Sequence, residues 1–185
     1  MSKLIMWNLI TLDGYFEGTK SWDLEFHQSV WGDELERFSI EQLHTTDMLL
    51  FGRVTYEGMA AYWASEKGEI ADMMNSLPKI VFSHTLKQAD WNNTRLVDTD
   101  AVDEVRELKR HGQGNLFVFG SADLSASLIN AGLFDEYRIG LVPAVLGKGR
   151  PLFSDVSTPM QLTLTESQPL STGCVILKYE PQQAQ

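Results

Sequence analysis

The sequence predicts an α/β fold, a mostly parallel central sheet of about eight strands with helices on both faces and an antiparallel C-terminal edge. Three observations carry that expectation. Short apolar runs rich in β-formers recur along the chain, each ends in glycine or small polar residues with an amphipathic segment following, and the last two strand-like segments are adjacent in sequence.

Lys3 to Thr11 (KLIMWNLIT) has strand propensity without helical period and ends in the turn signal Leu12-Asp13-Gly14. Tyr15 to Gly32 carries Gly18, Trp22 and Trp31 with no periodicity, so it reads as a loop that covers something. Asp33 is placed to cap a helix whose apolar Leu35, Phe38 and Leu43 sit among Glu34, Glu36, Arg37 and Glu41. Met48 to Phe51 is a short buried-strand segment that ends at Gly52, before a helix through Tyr56 and Met59. Ile70 to Leu77 reads as a helix stopped by Pro78, and Lys79 to Phe82 is a further apolar strand followed by Ser83-His84-Thr85.

Asp100, Asp103 and Glu104 open a well-signalled helix with Val102, Val105 and Leu108 on one face, basic residues in its last turn and Gly112 beyond. Leu116 to Phe119 is too short for a helix and stops at Gly120. Ser121 then stands as N-cap of a helix carrying Leu124, Leu128 and Ala131, with Gly132 where a left-handed residue is wanted. Tyr137 to Val142 resumes as a strand, which gives a unit of βαβ size and hence a parallel crossover. Gln161 to Gln168 and Cys174 to Tyr179 form the antiparallel pair, joined across Pro169 to Gly173.

At 185 residues the chain is expected to be one domain over 1–181 with a polar tail at 182–185. A net charge of −10 with no basic run argues against nucleic acid or an anionic membrane as partner and leaves a small molecule. Cys174 is the only cysteine, which excludes an internal disulfide and a cysteine zinc site and fits a reducing, cytoplasmic setting. The four histidines lack metal-ligand spacing, and no run approaches the ~18 apolar residues a membrane span needs. A symmetric homodimer is expected only from the prevalence of two-fold assemblies.

Three strands thus end in Gly52-Arg53-Val54-Thr55, Ser83-His84-Thr85 and Gly120-Ser121-Ala122, and two of these turns open helices. Unpaired amides and positive dipole at two helix starts on one sheet edge suit the two phosphates of a dinucleotide. Turn chemistry alone also asks for Gly, Ser and Thr at such places. Neither G-x-G-x-x-G nor a Walker lysine motif occurs, Gly147-Lys148-Gly149-Arg150 reads as a flexible turn, and no nucleophile elbow supports a hydrolase.

These segments resemble a known family. Met48 to Glu57 (MLLFGRVTYE) resembles the Gly-Arg-x-Thr segment of dihydrofolate reductases, Val81-Phe82-Ser83 their strand ending in Ser, and Val118 to Ala122 (VFGSA) their Gly-Gly-Ala loop. With counterparts also for Leu12-Asp13-Gly14, Thr46-Asp47 and Leu146 to Gly149, the chain resembles stand-alone relatives of the reductase domain of the riboflavin-biosynthesis deaminase-reductase, from Lys3 to Tyr179. The resemblance implies a dihydrofolate reductase-like fold and NADPH as hydride donor, with Gly52, Arg53, Val54, Thr55, Ser83, Gly120, Ser121, Ala122 and Leu124 around the cofactor. Arg53 and the turn Ser83, His84 and Thr85 would select its 2′-phosphate, with His84 where the family often has Arg. Ser121 replaces the second glycine of a pair in which a cis peptide is characteristic, and a serine raises the cost of that geometry.

On the substrate side the resemblance points to Asp13 as the catalytic group facing the nicotinamide, although turn formation would also explain it. Glu34 and Phe38 reproduce the spacing of the family's substrate-holding acid and its Phe. Counting back from Gly52 points to Glu36 instead, and a solvated acidic face accounts for both. Trp7, Trp22 and Trp31 would wall a planar substrate unless they are core. The implied activity is NADPH-dependent reduction of a small heterocyclic or imine substrate, similar to 5-amino-6-(5-phosphoribosylamino)uracil reductase, without deamination because no zinc motif is present. Dihydrofolate reduction and nucleotide binding without turnover are the alternatives.

Overall fold

The structure is a computed structural model that describes residues 1–182, so residues 183–185 of the expected tail lie outside the described residues. In chain order the elements are β1 (Lys3–Thr11), β2 (Tyr15–Glu17), α1 (Glu25–Gln28), α2 (Asp33–His44), β3 (Thr46–Gly52), α3 (Arg53–Trp63), α4 (Glu69–Ser76) and β4 (Lys79–Phe82). There follow β5 (Thr94–Val97), α5 (Ala101–His111), β6 (Asn115–Phe119), α6 (Ala122–Asn130), β7 (Glu136–Val142), β8 (Arg150–Pro151), β9 (Leu162–Pro169) and β10 (Val175–Pro181).

The main sheet has eight strands in the order β5-β4-β3-β6-β1-β7-β10-β9. Strands β5 through β7 in that order pair in parallel, and β10 runs antiparallel to both of its neighbours. The crossover expected after β6 is present, but it skips one place, because β1 lies between β6 and β7.

Period-2 alternation along the strands sorts the core onto two faces. Leu4 and Met6 of β1, Leu50 of β3 and Val118 of β6 pack with Val105 of α5 and Leu128 of α6. The residues between them, Ile5, Leu49, Phe51 and Phe117, face the other way onto Tyr56 of α3 and Met74 of α4. A third cluster joins Phe26 of α1 and Leu35 and Phe38 of α2 to Val142 and Ile176 at the antiparallel end. Each such side chain contributes about 1.5–3 kcal/mol on burial, so both helix layers are held by the strands they cover.

Several local expectations are corrected. Gly32 in extended backbone, not Asp33, is the N-cap of α2, and Asp33 opens the helix as a first-turn acid. Ser121 precedes α6 but lies in the left-handed region (φ 55) and makes no capping bond to its own helix. β5 and the small β2–β8 ribbon are absent from the pattern reading; Thr94 to Val97 shows only one buried position, too little period to detect. Asp100 caps α5 as expected, accepting from Asp103 N–H, and Gly132 has φ +65. There is no cis peptide among the described residues.

Candidate active site

Because β3 and β6 are neighbours, the helices that follow them start side by side at the carboxyl edge of the sheet. Two hydrogen bonds tie these starts together. Gly52 N–H donates to Ser121 Oγ (2.8 Å), and Ser121 N–H donates to Thr55 Oγ1 (3.0 Å). This explains why Ser121 does not cap α6: its hydroxyl is turned to the other helix. Neither α3 nor α6 has a side-chain cap, so their first-turn amides are without intrahelical acceptors and open at one place.

The backbone there admits no bulk. Gly120 has φ +63, and a Cβ on it would stand 3.2 Å from Thr55 Cγ2. Gly120 N–H donates to Asn8 Oδ1 (3.1 Å), which fixes the amide orientation and leaves Asn8 Nδ2 buried with no partner.

A cleft of about 990 Å³ runs from these helix starts along β1 to α2. At the helix end its cations are Arg53, paired with Glu57 (2.8 Å), and Arg150, paired with Asp123 in the first turn of α6 (2.5 Å). Arg150 also sits over the Phe16 ring, 5.8 Å from its centroid. Both pairs are exposed and worth about 0–1 kcal/mol, so either arginine can be drawn from its carboxylate by a competing anion. The other end is walled by Trp7 and Leu9 of β1, Trp22 and Trp31 of the long loop, and Leu35 and Ser39 of α2. Trp22 adopts φ 63, its N–H held by the Glu17 carboxylate, and its indole lies on Gly58 of α3, where a Cβ would fall 1.9 Å from the ring.

Of the residues expected around a cofactor, Gly52, Arg53, Val54, Thr55, His84, Gly120, Ser121, Ala122 and Leu124 line this cleft. Ser83 and Thr85 do not; the Ser83 hydroxyl is engaged in its own turn, accepting from Thr85 N–H (3.2 Å) and Leu86 N–H (3.0 Å).

On the substrate side Trp7 lines the cleft, whereas Asp13, Glu34 and Phe38 lie outside it. The Asp13 carboxylate accepts from Thr11 Oγ1 (2.7 Å), Gly147 N–H (2.7 Å) and Leu146 N–H (3.2 Å), bonds led by that of Thr11 that lower its pKa. It staples the turn after β7 to the end of β1. Glu34 accepts from the Ser171 hydroxyl and amide in the β9–β10 turn, which lowers its pKa too. Phe38 is buried with its ring 5.1 Å from that of Trp7. Helix α2 therefore meets the cleft through Leu35, Ser39, Gln42 and Leu43, a face rotated by one residue from the expected one, and Glu36 is exposed.

Sequence reasoning missed Asn8, His27 and Arg150. Asn8 left a trace, a polar residue inside an apolar strand run; His27 and Arg150 sit in segments without periodicity and left none. Burial pushes the His27 imidazole down to about 4, and its Nε2 has no partner.

Residues 2–176 match the family described as the RibD C-terminal domain. The uncharacterized protein YyaP of Bacillus subtilis (strain 168) is 29% identical over 182 residues, covering 96% of this chain and 94% of that protein. A solved structure from Shewanella sp. PV-4, provisionally described as a riboflavin biosynthesis protein, superposes with TM-score 0.79 at 22% identity over 98% of this chain and 99% of its own. The Thermotoga maritima deaminase/5-amino-6-(5-phosphoribosylamino)uracil reductase gives TM-score 0.69 at 17% identity, with 98% of this chain matching 57% of that longer one. Dihydrofolate reductase from Enterococcus faecalis, solved with NADP(H), gives 0.66 at 15% identity over 98% and 97% of the two chains. Carrying that domain from residue 2 to Ile176 on a dihydrofolate reductase-like sheet, the chain belongs to the RibD C-terminal domain family.

Proposed function

We propose that this protein is an NADPH-dependent reductase acting on a small heterocyclic or imine substrate. The observation that supports it most is the joined pair of uncapped helix starts, whose free amides and converging dipoles suit a pyrophosphate. Gly120 fits the same ligand, since any side chain there would meet Thr55 and fill the space in which backbone and phosphate approach. The first-turn amides of α3 and α6 would hold the two phosphates. Arg53 at the start of α3 and His84 beyond β4 are both exposed, and they would meet the 2′-phosphate once Arg53 leaves Glu57. When bound, NADPH supplies a hydride.

The chain's own contribution is to orient the acceptor. His27 is neutral near pH 7, so it does not serve as a ready acid, and the proton that accompanies the hydride comes from solvent entering the cleft. The alternative of dihydrofolate reduction requires a carboxylate against the pteridine. Glu34 is engaged by Ser171 and Glu36 is solvent-exposed, so the chain offers none from α2.

Tryptophan fluorescence and thermal-shift titrations with NADPH and NADH test the reading, since a ligand of the folded state raises its stability. NADPH is expected to bind at least tenfold tighter than NADH, with Arg53→Ala removing most of the difference. Failure of both nucleotides to bind overturns the proposal. Tight NADPH binding without oxidation by any imine or heterocycle supports the binding protein without turnover.

A further inference from the structure

We infer that the half of the cleft beyond the joined helix starts takes an uncharged, flat, conjugated molecule and rejects phosphorylated ones. The inference rests on the reductase reading only for the ligand that fills the other half. Its ground is the distribution of charge along one continuous cavity. Among the described residues, the arginines on its wall are Arg53 and Arg150, there is no lysine, and both arginines stand at the helix end, on α3 and against α6. The far end offers Trp7, Leu9, Trp31, Leu35 and Ser39, none of which carries charge, and the carboxylate that lines the cleft beside Trp22, Glu17, accepts from the Trp22 backbone N–H and would repel a phosphate.

Two cations lie behind that wall, and both are committed elsewhere: Lys178, over the Phe38 ring, pairs with Glu166 (2.8 Å), and Arg138 is held more fully. Its guanidinium pairs with Glu136 (2.5 Å), donates to Gln42 Oε1 (3.2 Å) and covers the Phe117 ring at 5.1 Å, and its side chain is only 14% exposed. His27 on α1 faces the cleft, but desolvation holds it neutral. A phosphate monoester brings a charge of about −1.5 to −2 at neutral pH, and burying it with no partner costs several kcal/mol. The chain's net charge of −10 opposes its approach as well.

What the wall does offer is aromatic surface and neutral hydrogen-bonding atoms. Trp31 is 51% exposed, so its indole stays open to a ring stacked upon it, while Trp22 packs against Gly58 of α3 and lends the wall its remaining apolar surface. Asn8, only 5% exposed, keeps Nδ2 unpaired because Oδ1 is spent on Gly120 N–H, and His27 Nε2 is likewise unpaired. A buried polar atom without a partner is costly, so the Asn8 amide donor favours a ligand with a ring nitrogen or carbonyl, and His27 Nε2 favours a neutral hydrogen-bonding group complementary to its tautomer.

A matched pair of flat probes tests this. Protein is first saturated with NADP⁺, and absence of NADP⁺ binding at this step would end the reductase reading rather than the present one. Riboflavin and riboflavin 5′-phosphate are then titrated, with flavin fluorescence quenching as readout. Riboflavin is expected to bind at least tenfold tighter than its phosphate, Trp31→Ala to weaken it about fivefold or more, and Gln28→Arg, which adds a cation on the exposed side of the same wall, to narrow the gap. Equal or tighter binding of the phosphate by the unmodified protein, or binding of neither flavin, overturns the inference.

Discussion

Acidification acts on this fold through His27 before it reaches the carboxylates. Burial against Phe26, whose ring stands edge-on to the imidazole at 4.7 Å, pushes the folded-state pKa from 6.5 to about 4. Between those values the unfolded chain holds a proton that the native chain does not, so stability falls as pH drops through the window and is fully present only above 6.5. At about 1.4 kcal/mol per unit, the whole shift corresponds to roughly 2–3 kcal/mol after allowance for the partial exposure of the ring. For a chain of this size that is a fall in Tm on the order of 4–12 °C. Replacing the imidazole by a neutral isostere, His27→Gln, removes the titration while keeping a polar group in place. Urea unfolding of both proteins at intervals from neutral pH to below 5 should show the two curves keeping a fixed offset above pH 6.5 and changing that offset as pH falls, the wild type losing stability that the variant keeps. Parallel curves across that range would show that the ring is already solvated in the native state and would refute the argument.

The remaining predictions address other parts of the molecule. Burial lowers the Lys79 amine to about 8 while Asn75 and Leu77 carbonyls accept from it and Trp91 lies 4.5 Å away, so stability should rise with pH between 8 and 10.5, and Lys79→Met should abolish that rise in alkaline melts. Thr55→Val strips the acceptor from Ser121 N–H and is expected to cost about 1–3 kcal/mol in urea unfolding and to weaken NADP⁺ binding at least fivefold; unchanged affinity would detach the joined helix starts from ligand binding. Gly58→Ala should leave stability within about 1 kcal/mol, because the helix gain offsets the lost indole contact, yet shift tryptophan emission to the red as Trp22 swings out. The outer edge of β9, exposed along most of its length with Leu164 at 50%, is where the proposed homodimer would pair, and light scattering is expected to give the mass of two chains.

Much of the fold was legible because the strands are short, apolar and punctuated. Lys3 to Thr11 and Lys79 to Phe82 match their observed bounds, since a buried parallel strand is predominantly hydrophobic and stops where a polar turn begins. Thr94 to Val97 escaped because a four-residue edge strand with one buried position carries no period. That the turns Gly52 to Thr55 and Gly120 to Ala122 share one cleft was legible for a related reason: chain turns between β3 and α3, and between β6 and α6, are fixed by local chemistry. The substrate side was not. Whether Glu34 or Leu35 meets the cleft is a rotation of α2 by one residue, decided by Ser171 capturing the Glu34 carboxylate from 137 residues away. Asp13 met the same fate, drawn onto the amides of Leu146 and Gly147 by a contact between distant turns.

The bonds between Gly52, Thr55 and Ser121 also bear on how the molecule matures. Their two halves are separated by 69 and 66 residues of chain, so neither half has its partner until β3 and β6 have found each other in the sheet. A nascent chain that stops short of Asn115 holds one helix start and no second. The proposed dinucleotide site is therefore complete only once β3 and β6 have paired, and a nucleotide that binds there would act as a template favouring the finished topology over partly assembled ones.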